Sequence, residues 1–141
     1  MSTAVPAPLR SQVVERAKGC CAYCRSTEQL MGVAFEIDHI VPRAVGGETS
    51  FDNLCVSCQS CNRHKAARIA AFDARTGASV PLFHPNTQSW SAHFRWSGDG
   101  TEIIGLTATG RATVQALNLN RPKLVQTRHY WIALGLHPPT D

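Results

Sequence analysis

Apolar residues at Leu9, Val13 and Ala17 share one side of a helical wheel, and the pattern predicts a helix from Leu9 to Lys18, ended by Gly19. The two prolines in residues 1–8 mark that stretch as a loose arm. Val33, Phe35 and Ile37 then alternate with other residues, which predicts a strand over Gly32–Asp38. Gly46-Gly47 sits in a loop from Pro42 to Ser50, and a short strand over Leu54–Ser57 follows. An alanine-rich stretch predicts a helix from about Ser60 to Phe72, with Thr76-Gly77 as its stop. Val80–Pro85 reads as extended or turn-like, because proline restricts the residue before it. His93–Ser97 and Glu102–Leu106 flank Gly98-Asp-Gly100 as a hairpin. Thr107 is placed to cap a helix to about Leu119, and Asn120 to cap a last one from Arg121 to about Leu134. The sum is an α+β fold, with a strand–loop–strand–helix unit behind an N-terminal helix, then a C-terminal β-hairpin and two helices.

Composition sets bounds on this picture. A chain of 141 residues is the size of one domain, and its 43% hydrophobic and 17% charged content is that of a globular protein. The net charge of +4 permits a polyanionic partner without demanding one. No apolar run approaches the roughly 20 residues of a membrane span. The first residues lack the basic and apolar regions of a secretory signal, so the expected location is cytoplasmic.

Six cysteines change the picture more. Cys21 and Cys24 form one C-x-x-C, and Cys58 and Cys61 form another. Two such pairs across a loop match a closed tetrahedral zinc site with four thiolate ligands. A redox role for either pair would call for a βαβ context that the pattern lacks. Cys20 and Cys55 read as small buried side chains.

Between the two pairs, Asp38 and His39 stand side by side, and Asn62 directly follows a zinc ligand. Adjacent strand residues point to opposite faces, so Asp38 and His39 serve one centre only at a strand end or a local twist. Asp38 and Asn62 offer hard oxygen donors of the kind Mg²⁺-like ions take, and His39 is placed to deprotonate water. Lys65 and Arg68 follow along the same helical side, where phosphate contacts are useful, with Arg63 and His64 as further candidates. Glu36, two residues before Asp38, shares its strand face. His84, His93, Trp90, Phe94 and Trp96 read as structural residues.

The string Cys21-x-x-Cys24, Asp38-His39-Ile-x-Pro42, Gly46-Gly47, Asn53-Leu54, Cys58-x-x-Cys61-Asn62-x-x-Lys65 resembles the HNH endonuclease family, over about residues 10–72. The resemblance implies a ββα-metal core and a metal-dependent nuclease acting on phosphodiesters, with DNA as the expected partner and 5′-phosphate and 3′-hydroxyl products. It implies that Asp38 and Asn62 hold a catalytic Mg²⁺ or Mn²⁺, that His39 is the general base, and that Asn53 holds the His39 loop by hydrogen bonds. The four cysteines then carry a structural Zn²⁺. His64 where arginine is common and Ala66 in place of a frequent glycine are departures. The organisation expected is a single domain, a zinc-braced core over 9–75 with an extension over 76–141 packed on it. A different class stays open: a zinc-dependent nucleic-acid-binding module that does not cut.

Overall fold

The computed structural model describes residues 5–140, and these form two compact units. One comprises the chain up to Ile69 together with His84–Thr87; the other comprises Ala70–Phe83 and the chain from Gln88 onward.

In the first unit, helix α1 spans Ala7–Ala17, with Pro8 in its first turn. Ala7 and Pro8 are therefore helical rather than part of a loose arm, and residues 1–4 lie outside the described residues. The helix ends where Lys18 (φ 52°) and Gly19 (φ 77°) take left-handed backbone. A single helical turn, α2, covers Glu28–Met31, capped by the Thr27 hydroxyl accepting from the Leu30 amide. Strand β1 is Glu36–His39, antiparallel to β2, Leu54–Ser57, with Asp38 opposite Cys55 and His39 opposite Leu54. The first strand thus starts later than its alternation predicts. Gly32 caps α2 with positive φ, and the Phe35 amide donates to Glu28 Oε2 (2.7 Å), so the chain is still turning before Glu36. Val13, Leu54 and Val56 form the buried centre of this unit, with Leu9, Ala17, Phe35 and Ile37 against it. One face of the β1–β2 ribbon therefore lies on α1.

Helix α3 spans Gln59–Lys65 and serves the other face. It is half the expected length. Ala66 takes φ 52°, ψ −135°, which no helix continues, and Arg68 Nη2 donates to the His64 carbonyl (2.6 Å) beyond the last turn. Residues expected at the helix end form a strand instead: β3, Ala70–Asp73, pairs antiparallel with β4, Ala78–Pro81. Gly77 (φ 77°) and the Asp73 side chain, which accepts from the Arg75 amide and the Thr76 hydroxyl, make the turn.

In the second unit a helical turn, α4 (Trp90–His93), leads into the expected hairpin, β5 (Phe94–Trp96) with β6 (Ile103–Gly105). Helix α5 spans Ala108–Ala116, its Thr107 hydroxyl accepting from the Gly110 amide (3.0 Å). Helix α6 spans Pro122–Ala133. Asn120 does not cap α6; its side chain instead bonds the Ile103 amide (2.7 Å) and carbonyl (2.8 Å). Arg111 closes a two-pronged ion pair on Asp73, both contacts at 3.1 Å. Among the described residues no helix is long and apolar enough to cross a membrane.

Candidate functional site

Cys21, Cys24, Cys58 and Cys61 are 0–2% exposed, and their sulfurs all lie within 4.8 Å of one another. Four thiolates about 2.3 Å from a zinc ion sit about 3.8 Å apart along each tetrahedral edge. Cys24 Sγ and Cys58 Sγ are 3.8 Å apart, so this donor set fits zinc. The backbone is shaped to match. Arg25 adopts φ 64°, which turns its amide onto the Cys21 carbonyl (3.1 Å), and the Cys61 amide points at Cys58 Sγ (3.4 Å).

The zinc knuckle also reaches the acidic residue of the site. Tyr23, between the first two ligands, is 1% exposed and donates its hydroxyl to Asp38 Oδ2 (3.0 Å). On the same carboxylate, Lys65 Nζ stands 3.2 Å from Oδ2 and 3.5 Å from Oδ1. Burial pushes the Asp38 carboxyl up, while the Lys65 ammonium and the Tyr23 hydroxyl pull it down. Lys65 Nζ also donates to the His39 carbonyl (3.1 Å), so a single ammonium ties both motif residues to α3. Burial pushes the Cys55 thiol up to about 12, which leaves it an inert neighbour of Asp38.

Expectation and structure part at Lys65. It is 1% exposed and neutralised by Asp38, so it is no member of a phosphate-facing stripe. The stem of a lysine that begins on the buried side of α3 runs inward to the nearest carboxylate, and burying that charge requires the partner. Arg68 is turned back onto the end of α3, and His64 Nδ1 donates to the Ser60 carbonyl (2.8 Å) one turn earlier. Arg63 is exposed and lines an open cleft with Glu36, Gln59, Asn62 and Ala66. In that cleft Asn62 Nδ2 donates to Glu36 Oε1 (2.8 Å), leaving Asn62 Oδ1 without a hydrogen bond. Asn62 therefore contacts Glu36 rather than Asp38.

His39 is the last residue of β1, where the strand gives way to the loop that its ring meets. Nε2 lies 2.9 Å from Thr49 Oγ1, and Nδ1 makes no hydrogen bond. Burial and then the nearby Arg43 guanidinium lower the imidazole below its usual range, so the neutral ring prevails at neutral pH. The intervening loop is stapled by Asn53. Its Oδ1 accepts from the Val41 amide (2.9 Å), and its Nδ2 donates to the Val41 (3.0 Å) and Glu48 (2.8 Å) carbonyls. A Cβ at Gly47 would stand 1.7 Å from the Val41 carbonyl oxygen, so only glycine fits beneath that staple.

The pattern of two knuckles around a histidine-ended ribbon and a short helix has a counterpart among known families. The family model for HNH endonuclease matches residues 21–68. That stretch is similar to the HNH family. Its match spans both knuckles, β1, β2 and α3. The chain is also 37% identical over 86 residues to a CRISPR-associated endonuclease Cas9 of Corynebacterium diphtheriae. That alignment covers 57% of this chain but 8% of the relative, so the chain spans only a small part of that protein's length. Within residues 21–68, three contacting residues carried no reading from sequence. Tyr23 is signalled only by its place between zinc ligands. Arg43 follows the motif proline as an ordinary surface arginine. Nothing in the sequence marks Thr49, ten residues from the ring it touches.

Proposed function

We propose that the HNH domain makes this protein a divalent-metal-dependent nuclease that hydrolyses phosphodiester bonds in DNA, with His39 as general base. The observation that carries this reading is the His39 ring itself: only partly buried, held at Nε2 by Thr49 and with Nδ1 free of hydrogen bonds, while burial and Arg43 lower its pKa. A base needs such a nitrogen within reach of the attacking water. Thr49 fixes the ring, and Asn53 fixes the loop that brings Thr49 there.

Asp38 and Asn62 would hold a Mg²⁺- or Mn²⁺-like ion. The Asn62 Oδ1, which accepts no hydrogen bond, and the neighbouring Glu36 carboxylate are hard oxygen donors suited to it, and Asp38 would take part by sharing its carboxylate with Lys65. When bound, such an ion supplies positive charge against the developing charge on the phosphate. Arg63, on the rim of the same cleft, is the α3 cation best placed for a backbone phosphate. His39 Nδ1 takes the proton of the water as it attacks, and the loop staple keeps the ring from rotating away.

Nicking of supercoiled plasmid in Mg²⁺ or Mn²⁺ by the zinc-loaded protein tests this. Cleavage is expected for the native chain, and a loss of at least about 100-fold for His39→Ala. DNA binding without cleavage in any divalent ion would instead identify a binding module and end the nuclease reading.

A further inference from the structure

Beside His39 lies a second charged group that no expected role absorbs. Arg43, in the short 3-10 turn Arg43–Val45, is exposed, and its Nη1 donates to Thr49 Oγ1 (3.1 Å). That oxygen is the one 2.9 Å from His39 Nε2. A guanidinium only donates, so Thr49 Oγ1 must accept from Arg43. The hydroxyl keeps a second lone pair for an Nε2–H, an arrangement that leaves the ring's basic lone pair on Nδ1; in the alternative the Thr49 O–H donates to Nε2. Among the described residues Arg43 makes no ion pair. Its remaining guanidinium donors therefore face solvent with their charge unopposed. The cations expected on α3 are mostly spent, Lys65 on Asp38 and Arg68 on the helix end.

We propose that Arg43 is a phosphate-binding residue of the nuclease site, and that Thr49 is the positioning residue that fixes its guanidinium and the His39 ring relative to each other. The fork of donors suits a phosphodiester oxygen pair, and one prong is already immobilised by Thr49, which lowers the ordering cost of binding. The site reads the backbone rather than bases, so its ligand is a nucleic-acid phosphate irrespective of sequence. This inference rests on the proposed nuclease function for its catalytic meaning, but its two parts are measured without turnover.

Binding of a short DNA duplex to the zinc-loaded protein, without added Mg²⁺ and across a salt series, reads the first part. Arg43→Ala is expected to weaken binding uniformly across sequences and to reduce the slope of log affinity against log salt by about 1. Arg43→Lys is expected to keep the slope. A native slope and affinity in Arg43→Ala overturns the phosphate role. The second part is read from the His39 ring nitrogens by long-range proton–nitrogen NMR. A protonated Nε2 and an unprotonated Nδ1 are expected in the native chain. Thr49→Val should disturb that pattern and Thr49→Ser should restore it. An unchanged spectrum in Thr49→Val, or a proton on Nδ1 in the native chain, overturns the positioning role. If both parts hold and plasmid is never cut, the nuclease reading fails while the phosphate site stands.

Discussion

Lys65 shows how a residue's meaning depends on where its side chain ends. In sequence it is one cation among several on a helix; in the fold its ammonium lies between the Asp38 carboxylate and the His39 carbonyl. Spacing reports the helical side a residue occupies but not whether a carboxylate waits beneath it, and here the carboxylate takes the ammonium inward. Lys65→Met should therefore behave as a core lesion. Leaving Asp38 buried without its cation costs about 3–5 kcal/mol, read as a lower denaturant midpoint of the zinc-loaded protein. Pairing it with Asp38→Asn should recover much of that loss, because no buried charge then remains. The cysteines, by contrast, were legible from spacing alone, since four thiolates can satisfy a tetrahedron in few other ways. Asn53 was named from resemblance, and its three hydrogen bonds across the loop supply the physical content of that expectation.

Elements were legible where periodicity met a clear stop. Helix α1, strand β2, the β5–β6 hairpin and the Thr107-capped helix lie close to their expected positions. The failure at residues 66–73 has a local cause. Alanine-rich sequence favours helix, but buried Lys65 and the turned backbone of Ala66 stop α3, and Asp73 and Gly77 then reverse the chain into β3–β4. A non-glycine residue at such φ costs about 1–3 kcal/mol, against an unfolded-state penalty for glycine of about 0.4–1 kcal/mol. Ala66→Gly should consequently stabilise the protein by about 1 kcal/mol, seen as a raised melting temperature. The β3–β4 turn carries its own pH dependence. The Arg111 guanidinium, with the Thr76 hydroxyl and the Arg75 amide, holds the Asp73 carboxyl well below the usual carboxylate range. A carboxyl lowered in the folded state stabilises fully above its unfolded value of about 3.9, and that contribution disappears as pH falls through the folded value. Acid titration below about pH 4 should thus destabilise the native chain, and Asp73→Asn should be less stable at neutral pH but show a flatter acid limb.

At the scale of the molecule, all six cysteines belong to the first unit. Zinc binding in small metallo-domains is folding energy, of the order of 10–16 kcal/mol. Strong chelation should accordingly abolish hydrogen-exchange protection of β1 and β2, and readdition of zinc should restore it. Protection there that survives complete metal removal would refute a structural role for the ion. Tyr23 links the two chemistries, because the segment that carries Cys21 and Cys24 also presents the hydroxyl on Asp38. The first unit is also discontinuous in sequence. After Ile69 the chain departs and returns only at His84–Thr87, where Asn86 Nδ2 donates to the carbonyls of Asp52 and Leu54, each at 2.9 Å. Arg16, from α1, caps the same region by donating to the Phe51 and Leu54 carbonyls. Neither residue falls within the 21–68 match. Excising the recognisable motif on its own would therefore strip both supports from the segment beside Asn53; a workable miniature has to begin before α1 and carry the chain through Thr87.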